Sequence, residues 1–226
     1  MLSYLLSSWE NPMNGAESLV KTLVKSGVDV CFTNPGTSEM HFVAALDHVE
    51  GMRCVLGLFE GVVTGMADGY GRMADKPSST LLHLGPGLGN GLANLHNAKK
   101  AHTPIVNIVG DHATYHVEYD APLTADIEGI AKPVSSWVKT SKSSKDIARD
   151  GAEAVMAARS GPGKIATLIL PANTAWDEAN YAANPLDVPP QSKVSSETIT
   201  GIAKALCEDG ETLIHMTGRA LREDTL

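Results

Sequence analysis

The sequence predicts an α/β fold: a doubly wound parallel sheet with helices on both faces, followed by the start of a second α/β domain. Two observations carry that prediction. The segments "VDVCFT", "CVLGL", "STLLHL", "PIVNIVG" and "KIATLILP" are apolar on both faces, as strands covered from both sides must be. Segments of helical spacing separate them, which is the connection that parallel neighbours require.

Each element follows in order. "GAESLVKTLVKS" places Leu19, Val20, Leu23 and Val24 on one face, and Gly27 stops the helix. "VDVCFT" is the first strand and "NPGT" its turn; "SEMHFVAALDHV" is the second helix and "CVLGL" the second strand. A helix begins near Glu60. "STLLHL" leads into "GPGLGNG", expected as a Gly-rich turn before a helix through "LANLHNAKKA", and "PIVNIVG" is the next strand. "SSKDIARDGAEAVMAARS" offers Ile147, Ala148, Ala152 and Val155 to the core before the strand "KIATLILP".

Domain boundaries follow from composition. "MLSYLLSSWENP", residues 1–12, precedes the first helical pattern and is expected as a poorly ordered extension. Residues 13–183 form the main domain. Pro185, Pro189 and Pro190 make residues 184–194 an extended, semi-rigid linker. Residues 195–226 then give a helix capped by Ser195 or Ser196 and a strand "ETLIHMTG". One helix and one strand cannot bury a core, so the sequence predicts a second domain cut short.

A net charge of −8 excludes a basic surface able to neutralise phosphates along a duplex. Cys31, Cys54 and Cys207 are isolated, odd in number and without CxxC spacing, which fits a reducing, cytoplasmic setting. The N-terminal segment lacks a basic n-region and any stretch long enough to span a bilayer.

Ligands in open α/β sheets bind beyond the carboxyl ends of strands. That rule selects "NPGT", "LFEG" and "HLGPGLGN". Glu60 then has two readings: a first-turn carboxylate that complements the helix dipole, or a desolvated acid kept for chemistry among Leu58, Phe59, Val62 and Val63. The residues alone leave both open. His83, at the end of an apolar strand, is either a satisfied core histidine or a proton carrier at the cleft. "GPGLGNG" fails the dinucleotide spacing, because Asn90 stands where the third glycine belongs counting from Gly85. Asp111 ends the following strand, where a ribose-binding acid could stand. His112 and His116 lack a third committed ligand for zinc, and a loop is expected there.

Taken together, "FTNPGTSEMHFVAAL", "FEGVVTGMADGYGR", "LLHLGPGLGNGLANLHNAKKAHTPIVNIVGD" and "YDAPLTADIEGIAKPV" resemble the N-terminal, pyrimidine-binding domain of thiamine diphosphate-dependent enzymes, in the acetolactate synthase and benzoylformate decarboxylase group. The resemblance runs from about Met13 to Ala182 and implies several roles. Glu60 matches the glutamate that hydrogen-bonds N1′ of the aminopyrimidine and favours its imino tautomer. Pro35 and Gly36 match a turn against the pyrimidine, and Gly87 and Asn90 a segment near the cofactor. Thr37 takes a substrate-contacting place and Leu123 a substrate-lining one. His83 matches a proton-relaying histidine of the decarboxylase, and acetolactate synthases generally lack it.

The resemblance implies thiamine diphosphate as cofactor and a 2-oxo acid as substrate, decarboxylated or condensed into acetolactate. The family holds Mg²⁺ and the diphosphate through a Gly-Asp-Gly motif that this sequence lacks. Metal ligands are therefore expected from a C-terminal domain, and no activity is expected from the chain alone. The implied partners are copies of itself, as a dimer or tetramer, or a complementary diphosphate-binding chain. The alternatives are a non-catalytic partner subunit of a full-length enzyme and a dinucleotide-dependent oxidoreductase.

Overall fold

The computed structural model of the protein describes residues 12–222. The expectation for the extension over residues 1–12 therefore lies, Pro12 apart, outside the described residues. Contacts divide the chain into a unit ending at Val188 and a second beginning at Pro189.

The first unit is a parallel sheet of six strands: β1 (Val30–Asn34), β2 (Arg53–Leu56), β3 (Ser78–Leu82), β4 (Ile105–Asp111), β5 (Trp137–Thr140) and β6 (Ile165–Pro171), in the order β2-β1-β3-β4-β6-β5. Seven helices belong to it among the described residues: α1 (Gly15–Lys25), α2 (Met40–His48), α3 (Glu60–Ala74), α4 (Leu84–Lys100), α5 (Ile127–Ala131), α6 (Ile147–Arg159) and α7 (Ala172–Trp176). The central strands β3, β4 and β6 are buried nearly throughout, which is why they are continuous apolar runs.

Side chains alternate between the faces. Cys31, Leu81 and Ile108 join a core with Leu19 and Leu23 of α1, Phe42 of α2 and Ile147 of α6. Their neighbours Phe32, Leu82 and Val109 join the opposite core with Val63 of α3, Leu88 and Leu95 of α4 and Ile127 of α5. Both faces of the central strands are therefore covered, as their two-sided sequences predict; the edge strand β2 is largely exposed despite its apolar sequence.

Three local features differ from the sequence expectation. "GPGLGNG" is no turn: α4 already begins at Leu84. Its glycines serve helix contact instead, because a Cβ on Gly91 would stand 2.8 Å from Thr64 Cγ2 on α3. The Thr64 hydroxyl donates to the Gly91 carbonyl at 3.0 Å, and Asn94 Nδ2 donates to the Gly61 carbonyl at 2.6 Å. These bonds across the close approach offset what glycine costs in a helix.

The second is β5, which the sequence reading passes over. "WVKT" is short, partly exposed and half polar, so periodicity does not mark it. Lys139 nevertheless ties this edge to α6 through Asp150 at 2.7 Å and Glu153 at 2.8 Å.

The third concerns the second unit. It contains α8 (Ser196–Leu206), where the Ser195 side chain accepts the Thr198 N–H at 3.1 Å. Residues 211–217, however, form no strand. A strand needs a neighbour for its N–H and C=O groups, and among the described residues this unit supplies none.

Two polar devices fasten the first unit. Across the sheet centre, the Thr80 hydroxyl bonds Asn107 Oδ1 at 2.6 Å and Asn107 Nδ2 donates to Thr167 Oγ1 at 3.1 Å. At the far end of α3, Asp68 accepts from Arg72 Nε at 2.9 Å, Arg72 Nη2 at 2.7 Å and Thr103 Oγ1 at 2.6 Å. Asp68 is buried, so losing its carboxylate strands the Thr103 hydroxyl and removes both charge-assisted bonds to Arg72. Hydrogen bonds to charged groups contribute about 1.5–3 kcal/mol each. Asp68→Ala is expected to lower unfolding free energy by about 2–4 kcal/mol, read from urea denaturation followed by circular dichroism.

Cysteine accessibility gives a second check on burial. Cys31 lies in the core, where desolvation pushes its thiol up to about 12, whereas Cys54 and Cys207 are exposed. The thiolate is the reactive form. A chromogenic disulfide reagent should therefore titrate two thiols in the native chain and three in denaturant; rapid native labelling of all three would contradict this packing.

Candidate functional site

The sheet order reverses direction at β1: the next strand, β2, lies on one side of it and β3 on the other. Such a switch point opens a crevice at the carboxyl ends of the strands. The chain segments leaving β1 and β3 bring Gly36, Glu39 and His83 together there, and the segment after β2 brings Glu60.

Glu60 opens α3 and is 9% exposed. Its Oε2 accepts a hydrogen bond from Asn90 Nδ2 on α4 at 3.0 Å. A Cβ on Gly87 would lie 3.2 Å from Glu60 Oε1 and 3.4 Å from His83 Cβ, so one bare glycine borders both side chains. The expected apolar surround is only partly present. Val63 is buried, but Leu58 is 90%, Phe59 48% and Val62 51% exposed. Glu60 is covered by α4, reached through the glycine-mediated contact between the helices, and not by its neighbours in sequence. Asn90, Phe59, Val62 and Met66 line a shallow apolar depression beside it.

His83 caps α4 at the end of β3, immediately before Leu84. Leu84 has φ +50° and is fully buried. This left-handed, non-glycine backbone costs about 1–3 kcal/mol and turns the chain sharply from strand into helix, leaving His83 at the crevice. The imidazole lies on Gly36, where a Cβ would come within 2.3 Å of the ring.

Glu39 is the residue that sequence reading missed. Its side chain is wholly buried, its Oε2 lies 2.8 Å from His83 Nδ1, and the same oxygen accepts the Gly36 N–H at 2.7 Å. Burial raises its carboxyl above the usual carboxylate range, while the Gly36 N–H and His83 pull the other way. Oε1 has no hydrogen-bond partner and abuts Gly110, where a Cβ would stand 1.7 Å away. A Glu two residues beyond "PGT", one residue before an apolar helix, is the available signal, though alone it reads as a helix-start carboxylate.

The remaining predicted residues are more dispersed. Pro35 precedes Gly36 in the turn after β1. Thr37 begins a 3-10 turn and opens onto a pocket shared with Ser38, His112, Tyr115, His116 and Trp176. Leu123 is 37% exposed; its segment is anchored to the site by Ala125, which leaves no room for a Cβ on Gly85. His112 and His116 meet edge-to-face, ring centroids 5.6 Å apart, in an irregular segment, and no group of three or more His, Cys, Asp or Glu is placed to hold a metal among the described residues. Asp111 accepts the His112 N–H at 2.7 Å, and burial raises its carboxyl. With "GPGLGNG" helical, the glycine turn that a dinucleotide's phosphates require is missing.

Among the described residues no helix is long and apolar enough to cross a membrane. The family model "Thiamine pyrophosphate enzyme, N-terminal TPP binding domain" matches residues 13–131. "Putative acetolactate synthase large subunit IlvX" of Mycobacterium tuberculosis is 54% identical over 210 residues, covering 93% of this chain and 40% of that protein. Benzoylformate decarboxylase of Pseudomonas aeruginosa is 33% identical over 150 residues, covering 66% of this chain and 28% of the enzyme. Among solved structures, Rhodococcus jostii RHA1 thiamine diphosphate-dependent 4-hydroxybenzoylformate decarboxylase superposes with a TM-score of 0.77 at 25% identity, covering 86% of this chain and 37% of that one. The chain thus spans well under half the length of these relatives. Its parallel sheet, the crevice at its switch point and the match over residues 13–131 together make it a member of the thiamine pyrophosphate enzyme family, carrying the N-terminal TPP-binding domain.

Proposed function

We propose that this chain supplies the pyrimidine-binding half of a thiamine diphosphate-dependent active site that acts on a carbon–carbon bond beside the carbonyl of a 2-oxo acid. The observation that carries the reading is Glu60: a buried carboxylate at a strand-to-helix junction, one oxygen held by Asn90 and the other bordered by a bare glycine.

The residues present fit the aminopyrimidine. Gly36 lets the His83 ring pack directly on the turn after β1, and Gly87 lets α4 approach Glu60 and His83, while Asn90 fixes the orientation of the carboxyl. Bound thiamine diphosphate supplies the carbon nucleophile for 2-oxo-acid chemistry; the protein sets its protonation. Glu60 would hydrogen-bond N1′ of the bound cofactor, with Asn90 keeping the carboxyl aimed, and Pro35, Gly36 and Gly87 would border the ring. His83 exchanges a proton with substrate, and its presence favours decarboxylation over acetolactate synthesis. Thr37 and Leu123 border the substrate. Among the described residues no group of three or more His, Cys, Asp or Glu is placed to hold a metal; ligands for Mg²⁺ and the diphosphate would come from a second domain, of another copy or of a complementary chain.

The half-exposed Phe59 and Val62 beside Glu60 support assembly with such a domain, since an exposed apolar patch next to a buried acid is a surface awaiting cover. The same patch also suits a partner subunit that is itself non-catalytic, and the two readings diverge on Glu60 alone.

In the assembled enzyme, Glu60→Gln should slow deuterium exchange at the cofactor's C2 by about 10²–10⁴-fold, the range for a positioned proton-transfer group. Exchange at the unaltered rate would leave the catalytic role without support and favour the non-catalytic one. Val62→Asp should leave unfolding free energy within about 0.5 kcal/mol, as a surface change. It should nevertheless raise the protein concentration needed for C2 exchange, measured across a dilution series.

A further inference from the structure

We propose that Glu39 is the positioning residue of His83: it accepts the Nδ1–H and thereby fixes the imidazole in the tautomer whose Nε2 offers a lone pair at the crevice. The importance of this role rests on the reading of His83 as a proton carrier; its geometry does not.

A neutral imidazole carries its proton on one nitrogen, and the hydrogen bond at the other sets which one. Glu39 Oε2 stands 2.8 Å from Nδ1. The Gly36 N–H, which can only donate, points at that same oxygen from 2.7 Å. An oxygen already serving as acceptor to one N–H is best placed to accept a second, and an ionised carboxylate oxygen has the lone pairs for both. The proton between the residues therefore belongs to Nδ1. Nε2 is left as the ring nitrogen that can take a proton from, or return one to, a bound molecule. His83 is 22% exposed, against 0% for the carboxylate behind it, so traffic with a ligand passes through the ring.

The seat of the carboxylate is built with little slack. Gly110 clears Oε1, and Gly36 clears the imidazole ring; a Cβ at either place would stand 1.7 Å or 2.3 Å from its neighbour. A carboxyl needed only to close the 3-10 turn at Thr37–Glu39 would require the Gly36 bond alone. It would not need a histidine on the same oxygen, or a neighbouring strand bare at the point of contact.

The test is the tautomer itself, read by long-range ¹H–¹⁵N correlation spectra of the full 226-residue chain labelled with ¹⁵N-histidine. Spectra are taken without cofactor, at a pH where the ring is neutral, with His83→Gln assigning the signals. The wild type should show Nδ1 protonated and Nε2 bare. Glu39→Leu removes the acceptor and Gly110→Ala displaces it; both should convert His83 to the Nε2–H form while leaving His112 and His116 unchanged. Glu39→Gln keeps an acceptor oxygen and should retain the native tautomer. A wild-type spectrum with Nε2–H, or unaltered spectra in both Glu39→Leu and Gly110→Ala, overturns the assignment. If neither variant folds, the wild-type spectrum decides by itself. In the assembled enzyme, Glu39→Leu should lower kcat at least tenfold while C2 exchange persists. A normal kcat for His83→Gln would instead strike at the proton-carrier reading, leaving the tautomer result to stand or fall separately.

Discussion

The close approach of α3 and α4 is the constraint on which the candidate site depends. Gly61 and Gly91 let the helices meet nearly backbone to backbone, and Thr64 and Asn94 then hydrogen-bond carbonyls across the seam. That contact carries Asn90 to Glu60 and sets Gly87 between Glu60 and His83. Larger side chains on the seam would push the helices apart and open the carboxylate to water. Glycines in a helix are costly; here their number is explained by what they bring together.

Polar groups inside the unit follow a consistent logic. A buried polar atom without a partner costs the full desolvation of that atom, whereas a paired one contributes modestly. Thr80, Asn107 and Thr167 satisfy one another across three strands, and Asp68 is saturated by Arg72 and Thr103. Glu39 is one of several described residues that depart from this rule. One of its oxygens carries two bonds and the other none. An expense of that kind, in a crevice at the switch point and beside a left-handed Leu84, concentrates strain where chemistry is expected.

The surface beside Glu60 carries exposed apolar side chains next to a buried acid. Leu58, Phe59 and Val62 expose apolar area at the mouth of a site whose acid is already buried. A site of this form gains from cover, because excluding water strengthens the electrostatics within it. The exposure of these residues also explains why an apolar neighbourhood read from sequence differs from one measured in the folded chain.

The sequence by itself determined the parallel sheet, since the central strands, buried on both faces, are near-continuous apolar runs, and it determined the position of Glu60 at the start of a helix. The resemblance carried by "NPGT", "FEGVVTGMADGYGR" and "GPGLGN" led to the family. The tertiary structure alone decided the rest. The Gly-rich stretch packs as a helix against a neighbour some thirty residues earlier in the chain, β5 pairs with the edge that β6 offers, and residues 211–217 form no strand, with no edge beside them in their unit among the described residues. Glu39 meets His83 across 44 positions of sequence, and no local pattern records a contact made by adjacent strands of a sheet. Periodicity reports which face a residue turns toward; only packing reports what it finds there.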